Sequence, residues 1–144
     1  MPDPRSPSRR RRVATAVAAA YLAALGIIVL WPDHLDRNAG AAYAVLYDLL
    51  PAVNPRTMDF GLNIVLFIPF GIVLGALLHG HPWRVVGIAW LVPLLVEIVQ
   101  GLFLPGRTSS AADVVANAVG GLVGAFAMTA TRRILLHRRT RRRR

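Results

Sequence analysis

Cysteine is absent from the 144 residues, which excludes disulfides, thiolate metal sites and cysteine nucleophiles. Lysine is absent too; all 17 basic residues are arginine, which reads as codon bias in a GC-rich genome rather than as chemistry. Acidic side chains number seven, and only one of them, Glu97, is a glutamate. The four histidines, His34, His79, His81 and His137, fall outside the apolar runs and read as exposed loop or tail residues. A zinc hydrolase wants histidine or cysteine ligands, which the apolar runs do not supply. A Ser-His-Asp arrangement would need His34 to fold over Ser109 or Ser110, and nothing in the sequence requires that.

What the chain does have is hydrophobicity: 55% of its residues, gathered into four long apolar stretches that place it in the membrane class. The stretches are residues 13–30, 62–78, 85–104 and 112–131, each near the roughly 20 residues that cross about 30 Å of hydrocarbon. The first is read as a retained helix rather than a signal peptide. Its apolar core is long, and no small-x-small cleavage site directly follows it. Residues 1–12 form a basic N-terminus and residues 132–144 an Arg-rich tail around a membrane domain over 13–131.

The net charge of +10 does not indicate nucleic acid, because the arginines flank the apolar spans. Arg9–Arg12 and the tail arginines are expected to set topology and to meet anionic lipid headgroups. With both termini in the cytoplasm, Arg5, Arg9–Arg12, Arg84, Arg132, Arg133, Arg138, Arg139 and Arg141–Arg144 lie inside, 14 of the 17. Only Arg37, Arg56 and Arg107 then lie outside. The expected fold is all-α: four transmembrane helices, N-in and C-in. Spans two and three are joined tightly through His79–Arg84 as an antiparallel hairpin. The apolar run Ala41–Val53 in the first outer loop is too short to span and reads as an interfacial or re-entrant helix.

In this topology the polar residues of the spans gather at the outer side. Asp59 and Asn63 stand at the start of span two, one helical turn apart. Glu97 and Gln100 lie in the outer half of span three, with Glu97 about 10 Å below Leu104. Asp113 and Asn117 occupy the first turns of span four, and Arg107 sits in the loop between spans three and four. A charged side chain at the centre of a spanning helix costs roughly 3 kcal/mol on insertion scales, so Glu97 marks a candidate site. On span four, Ala112, Ala116, Gly120 and Gly124 make a ridge of small residues suited to close helix packing. Pro69 and Pro93 should kink spans two and three, the second opening space beside Glu97.

Three segments resemble the VanZ family of small membrane proteins associated with glycopeptide (teicoplanin) resistance. Asp59-Phe-Gly-Leu-Asn63-Ile-Val-Leu-Phe67-Ile-Pro69-Phe-Gly71 is similar to the family's D-x-x-x-N…F-x-P-x-G segment. Glu97-Ile-Val-Gln100 is similar to its E-x-x-Q, and Arg107 to its loop arginine. Asp113-Val-Val-Ala-Asn117-Ala-Val-Gly120-Gly-Leu-Val-Gly124 is similar to D-x-x-x-N-x-x-G…G. The resemblance covers residues 57–128; residues 1–56 carry none of the motif.

Each site residue also has a structural reading. Ser110-Ala-Ala-Asp113 is a capping-box pattern, Asn63 and Asn117 are candidate interhelical hydrogen-bond glue, and Arg107 could simply neutralise Glu97 or Asp113. No cofactor is assigned. Asp59, Glu97 and Asp113 could hold Mg²⁺ or Ca²⁺ through oxygen, but the pattern is unspecific, and no metal site is assigned. Two functions follow. One is a binding protein whose outward pocket, formed by Asp59, Asn63, Glu97, Gln100, Arg107, Asp113 and Asn117, takes a lipid-linked wall precursor or a lipoglycopeptide. The other is an intramembrane enzyme of envelope lipids, with Glu97 or Asp113 as general acid or base and Arg107 stabilising developing charge. Oligomerisation through the Gly120/Gly124 ridge is a further expectation.

Overall fold

A computed structural model describes residues 9–30, 44–45, 48–49, 51, 53–104 and 110–141. Four helices follow in order: α1 (Arg9–Val29), α2 (Pro55–Leu77), α3 (Pro82–Phe103) and α4 (Ala111–Arg141). All four are long and apolar enough to cross a membrane, and no strand occurs among the described residues. The run Ala41–Val53, expected as an interfacial or re-entrant helix, lies largely outside the described residues.

Two helices outrun their apolar segments, because local chemistry rather than hydropathy sets their ends. α2 starts at Pro55, where Asn54 Oδ1 accepts a 2.9 Å bond from the Arg56 N–H. Asparagine at the N-cap and proline in the first turn are the pair that starts helices well, since the proline has no N–H to leave unsatisfied. The helix therefore begins seven residues before Leu62 and carries both Asp59 and Asn63. At its far end the chain turns through Gly80, whose φ of +91° is open to glycine and strained for other residues. α4 is 31 residues long, about 46 Å, and continues into the Arg-rich tail as far as Arg141.

The closest packing lies between α2 and α4. A Cβ placed on Gly71 would sit 1.9 Å from the Gly121 carbonyl oxygen; one on Gly120 would sit 2.2 Å from that of Ile64, and one on Gly124 2.0 Å from that of Ile68. These distances leave no room for a methyl group. Because the pairings advance together along both helices, α2 and α4 run parallel. α3 runs antiparallel to α4, with Ala89 against Gly121 near one end and Glu97 against Ser110 near the other. The tight α2–α3 link thus joins two helices that both pack mainly on α4, and α2 meets α3 only sparsely. The Gly120/Gly124 ridge is occupied within the chain by α2.

α1 is attached more lightly. Leu25 and Val29 pack with Phe67 at the centre of a small cluster that includes Tyr21, Leu66, Phe70 and Val96. Phe67 and Phe70 meet edge to face with ring centres 5.7 Å apart. The Tyr21 hydroxyl donates to the Leu66 carbonyl, one residue past the Val65 carbonyl that Pro69 deprives of its helical donor. Side chains such as Val65, Leu91, Leu102 and Phe126 are exposed on the outside, as a lipid-facing surface requires. These contacts bring the starts of α1 and α3 and the ends of α2 and α4 to one side of the bundle.

The glycine contacts separate two kinds of substitution. Gly124→Ala and Gly120→Ala should each lower the thermal midpoint in detergent markedly, because overpacking costs about 1–3 kcal/mol or more. Gly61→Ala and Gly87→Ala meet nothing within 4 Å and should be neutral or stabilising by up to about 1 kcal/mol. Equal midpoints for the two pairs would mean that α2 and α4 do not approach this closely.

Candidate functional site

Four residues of α3, namely Ala89, Pro93, Glu97 and Gln100, recur at helical spacing and are all buried. The only glutamate of the chain therefore lies on the packed side of its helix, 4% exposed, and not toward lipid. Pro93, one turn before Glu97, is fully buried.

Glu97 sits at the start of α4. Its Oε2 accepts a 2.8 Å bond from the Ser110 N–H. Ser110 is the N-cap of that helix. Its Oγ accepts from the Ala112 N–H at 3.2 Å, and its carbonyl accepts from Asp113 and Val114 at 3.0 and 3.3 Å. In a capping box the third residue of the helix reaches back to the N-cap N–H. Here Glu97 supplies that carboxylate from a neighbouring helix. A carboxylate beside a helix N-terminus also gains about 0.3–1 kcal/mol from the dipole, and up to about 2 when partly buried.

Asp113 makes a different connection. Its Oδ1 accepts a 3.0 Å bond from the Asn63 amide, joining α4 to α2. Gln100, buried like Glu97, donates at 2.6 Å to the carbonyl of Val29, the last residue of α1. The final carbonyls of a helix have no partner within it, and in a membrane no water replaces one. Gln100 thus caps α1, and Glu97 helps to cap α4. Asp59 is exposed on the second turn of α2. Arg107 lies outside the described residues.

Asn117 stands out among the polar groups of this region. It is 4% exposed and lies one turn beyond Asp113, on the face whose glycines meet α2 and α3. Its Oδ1 has no hydrogen-bond partner. A buried acceptor left unmatched costs about 1–3 kcal/mol, so this atom is an open position for a donor. Among the described residues no three Asp, Glu or His side chains come together as a cation site; Asp59, Glu97 and Asp113 do not converge that way.

The structure thus places Glu97, Asn63, Asp113 and Asn117 at the α2–α3–α4 junction, and turns Gln100 toward α1. Sequence reasoning missed the Ser110 N–H as the partner of Glu97 and Tyr21 as an anchor for α1. The first had a signal, an N-cap serine close in sequence to a lone glutamate. A single tyrosine in an apolar helix gave little indication of its partner.

Fold and junction together define a helical, multi-pass membrane protein with a cluster of polar side chains buried toward one end of the bundle. The family model described as VanZ/LLP1 matches residues 16–134, and the chain belongs to that family. No curated protein and no solved structure matches it.

Loss of Gln100 or of Glu97 should show as loss of capping. Gln100→Leu removes the bond to the Val29 carbonyl and should destabilise by about 0.5–1.5 kcal/mol in thermal or denaturant unfolding. Glu97→Leu should cost more than Glu97→Gln, whose amide oxygen still accepts from Ser110. If the two Glu97 variants melt together, the carboxylate does not hold the start of α4.

Proposed function

We propose that this VanZ-like protein binds an amphiphilic envelope molecule in a polar site on the outer side of a bacterial plasma membrane. The ligand is a lipid-linked wall precursor or a lipoglycopeptide of the teicoplanin type, and the role is envelope homeostasis or glycopeptide resistance. The observation that carries the reading is the buried Asn117 Oδ1 without a donor, beside the linked pair Asn63–Asp113 and near Glu97. Acceptors held in place at a helix junction favour a ligand that brings its own donors, such as hydroxyl or amino groups. Arg107 is assigned to an anionic group of the ligand. Asp59 and Gln100 complete the site, Gln100 by holding the end of α1 against it.

The outward orientation is supported by the arginines. Of the 17, 14 lie on one side if the termini are cytoplasmic, which leaves the polar junction on the other. Membrane lipids are natural neighbours at the Arg-rich ends.

Catalysis is the second reading, favoured by a carboxylate buried beside other polar groups. Against it, Glu97 Oε2 accepts a backbone N–H, a task that needs an acceptor but no proton transfer. The two readings part at Glu97→Gln. A general acid or base fails on losing its carboxyl, whereas a binding site keeps part of its function.

The decisive experiment is drug susceptibility of a strain lacking the protein, complemented with wild type, Glu97→Gln or Arg107→Ala at matched expression. Wild type should restore tolerance to teicoplanin more than to vancomycin; Arg107→Ala should not, and Glu97→Gln should do so in part. An unchanged response to both drugs in the deletion strain removes the resistance role. Complete loss with Glu97→Gln, together with turnover of a lipid-phosphate substrate by purified protein, would favour the enzyme.

A further inference from the structure

The far end of α4 carries a second binding feature that the polar junction does not use. α4 spans Ala111–Arg141 without interruption, about 46 Å, while a bilayer's hydrocarbon is about 30 Å thick. With Ala111 at one hydrocarbon boundary, the other falls about 20 residues on, near Thr131. Arg132 through His137 then lie at headgroup depth. Arg138 and Arg141 stand about 10–15 Å beyond the boundary, and their long side chains can reach back toward the headgroups.

The register of this overhang is selective. At 100° per residue, Arg133, His137, Arg141, Ile134 and Arg138 fall on one face spanning about 140°. These five residues border one shallow, open depression on the surface of the helix. Arg138 and Arg141 are spaced three apart, where like charges on a helix repel by a few tenths of a kcal/mol. No acidic residue follows Asp113 anywhere in the chain, and eight arginines follow Thr131. The charge on this face therefore has no partner along its own helix. Basic residues do suit a helix C-terminus, but that effect fades within the last turn and does not reach Arg133.

We propose that this face of α4 is a binding site for the phosphate of an anionic phospholipid. Arg133, Arg138 and Arg141 take the phosphate oxygens, His137 adds a ring donor, and Ile134 lies against the upper acyl chain. The exposed Ile134, Leu135 and Leu136 separate a lipid from a nucleic acid or an acidic protein. In the interfacial zone of a bilayer these apolar residues are partly covered by glycerol and upper acyl segments, while the arginines among them meet headgroups. A water-soluble polyanion would leave them in water.

The test uses the full chain in mild detergent and native mass spectrometry with phosphatidylcholine and phosphatidylglycerol. Wild type should retain phosphatidylglycerol over phosphatidylcholine. Each basic residue near an anionic surface is worth about a factor of five, so R133Q/R138Q/R141Q should weaken retention by about a hundredfold. R9Q/R11Q/R12Q, at the start of α1 on the same side of the bundle, should keep most of it. Circular dichroism and the thermal midpoint should not change in either variant, because the overhang lies beyond the packed part of α4. Equal retention of the two lipids, equal loss in the two variants, or displacement of lipid by a short oligonucleotide or by inorganic phosphate would overturn the proposal.

Discussion

The close approach of α2 to α4 is the constraint from which the rest of the bundle follows. Between lipid-embedded helices the apolar effect that folds soluble proteins has little to act on, because lipid tails are as apolar as leucine. Association then depends on how many atoms touch, and that depends on how near the backbones come. Gly71, Gly120 and Gly124 bring backbone against backbone, and Ala116 and Ala125 are buried beside them. The parallel register set by this contact carries Asn63 to Asp113. α3 then lies against the remaining side of α4, where Ala89 meets Gly121.

The polar residues of the junction share a physical logic. A helix that ends inside a membrane protein leaves N–H and carbonyl groups that lipid cannot satisfy. Glu97 answers this at the start of α4, and Gln100 answers it at the end of α1. One short stretch of α3 therefore ties two other helices by their ends, which explains a glutamate and a glutamine one turn apart on a buried face. Asn117 is different, since its acceptor has no such partner. Capping accounts for Glu97 and Gln100, whereas it does not account for the unmatched Asn117 acceptor.

Much of the architecture was legible in the residue pattern. Four apolar stretches imply four helices, because a backbone in lipid must satisfy its own hydrogen bonds and the helix is the structure that does so with one segment. The VanZ-like motif residues were legible as well, since Asp59–Gly71, Glu97–Gln100 and Asp113–Gly124 are spaced to put polar and small residues on common helix faces. The pairings were not. Ser110-Ala-Ala-Asp113 reads as a self-contained capping box, yet Glu97 reaches the N–H of Ser110 while Asp113 accepts from Asn63. The Gly120/Gly124 ridge reads equally well as an oligomer surface or an internal seam, and the structure makes it internal.

By itself, then, the sequence determined the class of protein, the number of spanning helices and which residues are costly to place in a membrane. Hydropathy, charge and helical spacing are local properties, and each is complete within a single segment. Only the tertiary structure decided that α2 lies parallel to α4, that Gln100 serves the end of α1, and that Asn117 Oδ1 is left without a donor. Those outcomes depend on which helices meet and at what register. Contact between segments far apart in the chain is settled by packing in three dimensions, where a single methyl group at Gly124 would be enough to keep two helices apart.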